Sequence, residues 1–277
     1  MTPTTFCWGQ GKLSENDNIL TGKPRPLVGG GFTMIHTVFA IMSAIVATAF
    51  FSSLAILVSL WNRDGDYSHV VGRIWAKTIL LINRVKVSVE GLHHLDPGGT
   101  YIYMVNHQSM FDILVLQGHV VVQFRWLAKR ELFQIPVFGP SMARAGYISI
   151  DRSNRRMAHK SLLKAAQKIA QGVSVVIFPE GSRSQDGEIM PFKPGGFHLA
   201  VRSGQPIVPV AIYGTHDVMP KGSLRISPGR VRISINPPID TASYAKGEKS
   251  LLMETVRSVM KKDFERIRAT VSENQRV

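Results

Sequence analysis

A histidine and an aspartate five positions apart, His107 and Asp112, stand in the segment Y-I-Y-M-V-N-H-Q-S-M-F-D, directly after an apolar run of strand type. An imidazole hydrogen-bonded through one nitrogen to a carboxylate is held in one tautomer, and its other nitrogen is free to take a proton from a hydroxyl. Residues five apart diverge in an unbroken helix, so the two meet only if the histidine precedes the helix and folds back over its first turn. With Ser109 as N-cap, Asp112 falls at the third helical position, where its carboxylate closes a capping box and sits well against the helix dipole. Capping by itself accounts for Asp112, so the pair is a catalytic candidate that needs support from elsewhere in the chain.

A second constellation follows the apolar run 173–178. The string P-E-G-S-R-S at 179–184 sets Glu180, Gly181, Ser182 and Arg183 in a turn bracketed by proline and glycine. Such a turn suits an oxyanion-bearing substrate, with Arg183 binding phosphate through paired hydrogen bonds. Glu180 would then orient the arginine or a backbone amide. A polar surface turn has the same composition. The string Phe192-Lys193-Pro194-Gly195-Gly196 is read as opening a helix whose first amides face the same pocket.

The elements that must hold these residues alternate in type. Residues 85–90, 101–106, 173–178, 207–212 and 231–235 read as strands, and helical patterns fill the gaps. The clearest helix is 155–171, rich in good helix formers and stopped by Gly172; another runs from Glu248 toward the C-terminus. The expected architecture is α/β, a mixed sheet flanked by helices. A leader at 1–31 has no periodicity and is read as a flexible tail. Residues 32–61 carry one titratable side chain, His36, and about 20 such residues suffice to cross a bilayer core, so this stretch is read as a membrane helix. The run ends in Asn62-Arg63-Asp64 rather than at a small-residue cleavage site, which argues for a retained anchor over a signal peptide. Residues 62–84 space apolar side chains (Val70, Val71, Ile74, Trp75, Ile79, Leu81, Ile82) among Arg73, Lys77 and Arg84. This is an amphipathic segment, either lying in the interface with its basic residues reaching for headgroups or packed on the domain. A domain at 85–277 completes the chain.

Lysine and arginine outnumber aspartate and glutamate 33 to 19, a formal net charge of +14, nearly all of it after the leader. The excess attracts polyanions, and the anchor together with the lack of aromatics alternating with basic residues speaks against nucleic acid. Five basic residues between positions 63 and 86 follow the apolar run, against three before it (Lys12, Lys23, Arg25), which orients the domain toward the cytoplasm. The single cysteine, Cys7, excludes an intramolecular disulfide and a cysteine-based metal site, and the scattered histidines suggest no metal.

Taken together, these strings resemble the glycerolipid acyltransferases, and among them the 1-acyl-sn-glycerol-3-phosphate acyltransferases. The family's N-H-x-x-x-x-D block is matched by Asn106, His107 and Asp112. Its G-x-I-F-I-x-R block is similar to Gly146-Tyr147-Ile148-Ser149-Ile150-Asp151-Arg152, with serine in place of phenylalanine. Its F-P-E-G-T-R-S block is similar to residues 178–184, with Ser182 for threonine, and an apolar V-P-V strand to Val208-Pro209-Val210. The resemblance covers roughly residues 91–210. It implies that His107, oriented by Asp112, is general base on a lysophosphatidate hydroxyl that attacks acyl-CoA or acyl-carrier protein without a covalent acyl-enzyme. It implies that Arg152 and Arg183, with the turn residues Glu180, Gly181 and Ser182, bind the acceptor phosphate, and that Lys129 stabilises charge near the reacting carbonyl. The expected product is phosphatidic acid, with no cofactor beyond the acyl thioester and with membrane lipids as the surroundings. The expected place is a membrane, a bacterial inner membrane with the domain on its cytoplasmic side. The alternatives are the same chemistry on another lysolipid, such as a lyso-aminolipid, and a non-catalytic protein that binds anionic lipid.

Overall fold

The computed structural model describes residues 30–151, 155–244 and 248–273. The leader, but for its last two residues, and Arg152 lie outside the described residues.

Seven strands form one sheet: β1 (Val85–Glu90), β2 (Ile102–Val105), β3 (Arg125–Lys129), β4 (Ile148–Ile150), β5 (Val175–Ile177), β6 (Ile207–Tyr213) and β7 (Gly229–Ile235). Their order is β1-β7-β6-β2-β5-β3-β4, every neighbouring pair parallel except β6 with β7. The sheet is mixed, as expected for the α/β pattern. Strands β3 and β4 have no counterpart among the expected five.

Eight α-helices among the described residues complete the fold: α1 (Gly30–Val58), α2 (Asp66–Ile82), α3 (Phe111–His119), α4 (Phe138–Arg144), α5 (Arg155–Ala170), α6 (Pro194–Ser203), α7 (Thr215–Val218) and α8 (Lys249–Glu273). Successive residues of a strand point to opposite faces, and β2 divides accordingly. Tyr103 and Val105 join a core with Ala76, Leu80 and Val115 of α2 and α3, whereas Ile102 and Met104 join one with Ile169, Phe197 and Phe264 of α5, α6 and α8. Both faces of the central strands are therefore sealed, which is why they read as unbroken apolar runs.

Within α1, Thr37–Val58 is long and apolar enough to cross a membrane, with a mean hydropathy of 2.3 and only 11% of its most apolar window buried inside the protein. A core helix would show the opposite burial. The helix stops at Val58, and Leu60 and Trp61, placed in the membrane run by the sequence, form an exposed turn instead. The helix doubles back as α2, tied to it where the Ser68 hydroxyl donates to the Ala55 carbonyl at 2.9 Å and Trp75 Nε1 donates to Thr48 Oγ1 at 3.0 Å. Seven residues up α2 correspond to seven down α1, so the pair is antiparallel. The apolar residues of α2 divide between two surfaces: Val71, Ile79 and Leu80 face the domain, and Val70, Ile74 and Leu81 are exposed. Arg73 does not reach outward as expected of a headgroup ligand. Its guanidinium donates to the Val121 and Val122 carbonyls, 2.9 and 3.3 Å away, just past the end of α3.

Candidate active site

The chain leaves the sheet at the end of β2 through Asn106, whose buried carboxamide accepts from the Ile212 amide at 2.7 Å and donates to the Ile212 carbonyl at 2.9 Å. This side chain continues the β2–β6 ladder for one residue while the backbone turns away, and His107 is thereby delivered to a fixed position at the sheet's end.

His107 Nδ1 lies 2.7 Å from Asp112 Oδ2. The same oxygen accepts from the amides of Gln108 at 2.7 Å and Ser109 at 2.8 Å, while Oδ1 takes the hydroxyl of Thr215 in α7. Asp112 is fully buried. Its carboxylate both closes the helix start and orients the imidazole. The cap differs in detail from the expectation: α3 begins at Phe111, so Asp112 is its second residue rather than its third. Ser109 Oγ accepts from the Phe111 amide at 3.2 Å and donates to the Met219 carbonyl at 2.7 Å. The imidazole stacks on Phe178, ring centroids 3.9 Å apart and planes 13° apart. With Nδ1 engaged and the ring clamped, Nε2 is the nitrogen left for substrate.

The turn after β5 grips the histidine's backbone from both sides. Glu180 Oε1 accepts from the His107 amide at 3.0 Å, and the Ser184 amide donates to the His107 carbonyl at 2.8 Å. Glu180 is 2% exposed. Burial pushes its pKa up to about 8, and the amides of His107 and Met190 offset only part of that rise. Of the two partners expected for Glu180, an arginine or a backbone amide, it takes the amide.

His107 lines a cavity of about 770 Å³. Its wall also carries Lys129, Gly181, Ser182 and Arg183, together with two lysines that the sequence reading did not assign, Lys193 and Lys221. The wall also carries apolar side chains, Phe51 and Ala55 of α1, Trp75 of α2, and Phe138 and Met142 of α4 among them. Lys193 stands in the F-K-P-G-G string expected to open a helix, and α6 does open there, with Pro194 in its first turn. Lys221 lies in a loop with no motif around it. The wall thus combines a base for a hydroxyl, cations for an anionic headgroup and an apolar compartment for a hydrocarbon chain.

A family model described as Acyltransferase matches residues 86–213. The 1-acyl-sn-glycerol-3-phosphate acyltransferase alpha of Ovis aries is 37% identical over 223 residues, which make up 79% of this chain and 76% of the sheep protein. The chloroplastic 1-acyl-sn-glycerol-3-phosphate acyltransferase BAT2 of Brassica napus is 34% identical over 201 residues, 72% of this chain but 58% of the plant protein. The crystal structure of the 1-acyl-sn-glycerophosphate (LPA) acyltransferase PlsC from Thermotoga maritima superposes with a TM-score of 0.75 at 28% identity, over 86% of this chain and 97% of that one.

Proposed function

Because the chain belongs to the acyltransferase family, we propose that it is a 1-acylglycerol-3-phosphate O-acyltransferase, moving a fatty acyl group from acyl-CoA or acyl-carrier protein to the sn-2 hydroxyl of 1-acyl-sn-glycerol-3-phosphate. The observation that carries this reading is the His107–Asp112 pair, 2.7 Å apart, with His107 on the wall of a cavity that also carries cationic and apolar side chains.

An alcohol is a poor nucleophile at neutral pH, so a positioned imidazole that takes its proton during attack contributes about a hundredfold to ten-thousandfold. His107 Nε2 accepts the hydroxyl proton while the oxygen bonds to the thioester carbonyl carbon. Asp112, receiving the Nδ1 proton in a hydrogen bond, balances the imidazolium that forms. The tetrahedral oxyanion lies within the field of Lys129, and its collapse breaks the carbon–sulfur bond. The departing sulfur takes the proton back from His107, leaving an ester and a free thiol. No step calls for a metal or redox cofactor. Arg183, and Arg152 on the block that resembles the family's, hold the headgroup, while the acyl chain occupies the apolar compartment. Since α1 contributes Phe51 and Ala55 to that compartment, a bilayer lipid reaches it from the membrane side. The excess of basic residues after α1 favours the cytoplasmic face of a bacterial inner membrane.

The test is purified full-length protein with lysophosphatidate and a series of acyl-CoA and acyl-carrier donors, beside His107→Ala and Asp112→Ala. Acylation by the wild type with loss in both variants is expected. Near-wild-type rates in the variants refute the mechanism, and turnover of only a lyso-aminolipid refutes the acceptor.

A further inference from the structure

The turn at 179–184 supports a cation that no motif assigns. Gly181 adopts φ +76°, and a Cβ built on it would lie 3.0 Å from Cδ, 3.2 Å from Cε and 3.1 Å from Nζ of Lys193. The lysine side chain therefore runs lengthwise across the glycine. Its own backbone is fastened to the same turn, the Lys193 amide donating to the Pro179 carbonyl at 2.8 Å. A second ammonium reaches the same turn, Lys221 Nζ donating to the Arg183 carbonyl at 2.8 Å.

Arg183, Lys193 and Lys221 all line the cavity that contains His107. None of the three takes part in the ion pairs found among the described residues. The carboxyls nearest these cations in sequence are engaged elsewhere: Glu180 faces the His107 amide, Asp186 accepts from the Ser184 hydroxyl and the Glu188 amide, and Glu188 pairs with Arg268. Three cations around one turn, in no ion pair among the described residues, call for an anion of more than one charge. A phosphate monoester carries about −1.5 to −2 at neutral pH, whereas a diester or carboxylate carries a single charge.

We infer that Lys193, laid across Gly181, is a headgroup-binding residue that selects a phosphate-monoester acceptor, and that position 181 is glycine so that this ammonium can reach the cavity. The inference rests on the acyltransferase reading above and names a residue for its acceptor site. Arg183 supplies a planar fork for paired hydrogen bonds, and a lysine adds a compact charge that follows the phosphate as the acceptor hydroxyl approaches His107.

The experiment compares Lys193→Met, Lys193→Arg and Gly181→Ala in the purified full chain, varying acceptor and donor separately. The acceptors are lysophosphatidate and the monoacylglycerol with the same chain and no phosphate. Lys193→Met is expected to raise KM for lysophosphatidate about tenfold to a hundredfold, as loss of a charge-assisted hydrogen bond does, with a smaller change in kcat. Its KM for the thioester and its rate on monoacylglycerol stay at wild-type values, and Lys193→Arg recovers most of the loss. Gly181→Ala, which obstructs the path of the lysine and strains the turn that fixes the His107 backbone, raises KM for lysophosphatidate as Lys193→Met does and lowers kcat as well, and the double variant Gly181→Ala/Lys193→Met has no higher KM than the worse single one. An unchanged KM for lysophosphatidate, or a rise in KM for the thioester instead, overturns the inference, the second outcome assigning the lysine to the donor's phosphates. A wild-type chain inactive on lysophosphatidate overturns the functional reading, and this inference with it, before any variant is compared.

Discussion

Replacing Glu180 by glutamine keeps an oxygen for the His107 amide and removes the titration at that position. The free glutamate titrates at 4.5 and the buried one at about 8, so the folded protein holds a proton that the unfolded chain releases. Stability from this group is complete below about pH 4.5 and is lost as the pH rises to about 8. At about 1.36 kcal/mol per unit the whole window corresponds to at most about 5 kcal/mol. Between pH 5.5 and 8.5 we expect about 2–3 kcal/mol of it, since relaxation and water entry soften the penalty of a buried charge. A domain of this size shifts by roughly 2–4 °C per kcal/mol. The assay is thermal unfolding in one detergent at pH 5.5 and 8.5. Glu180→Gln should match the wild type at the lower pH and melt several degrees above it at the higher. A difference between the two proteins that does not change with pH would refute the premise that this carboxyl is desolvated and protonated.

Asp112→Asn removes the acceptor that holds the His107 Nδ1 proton, and kcat should fall about 10²- to 10⁴-fold with little change in KM; steady-state rates within threefold of wild type would exclude the proposed orientation. Thr215→Val withdraws a donor from both Asp112 Oδ1 and Gln108 Oε1 and should cost about 1–3 kcal/mol, read as a lower melting temperature, together with a reduced kcat. Gly72→Val adds bulk to the cavity wall at a point where even a Cβ would come within 3.0 Å of Gln117 Nε2. Donor-competition assays should then show a shift toward shorter acyl chains, and an unchanged profile would place the chain elsewhere.

What the sequence reveals of this fold depends on where a segment's partners lie. Strands β2, β5 and β6 are covered on both faces and read as apolar runs. β3 hides because Arg125, a charged residue, is buried within it at 7% exposure. Its guanidinium pairs with Asp66 at 2.5 Å and with the Asp64 carbonyl at 3.2 Å, about sixty residues away in the chain, and no local window holds that information. β4 is three residues long, too short for a period. For α2 the spacing of apolar residues was visible, but its division between a domain face and an exposed face was not. Both faces are apolar, and only the positions of α1 and α3 distinguish them.

The site divides in the same way. His107 and Asp112 were legible because both ends of their interaction lie within one turn of chain, where spacing fixes geometry. Thr215 was not, since it reaches Asp112 across 103 residues through the β2–β6 pairing. Glu180 was found by composition and assigned by charge, yet burial governs its behaviour. A carboxyl with a pKa near 8 behaves at neutral pH largely as a neutral hydrogen-bonding group, and its partner here is the His107 amide. Lys193 is the converse case. The glycines beside it suggested a helix start, while the glycine that matters lies twelve positions earlier, with a left-handed φ that a sequence does not display. Those two residues give the turn a division of labour. The neutral side of 179–184 fixes the histidine's backbone, and the charged side faces the cavity, so that the base and the headgroup ligands are held by one short piece of chain and their separation is set by its geometry. A substitution that loosens the turn should therefore impair acceptor binding and proton abstraction together, whereas one confined to Lys193 should leave the second intact.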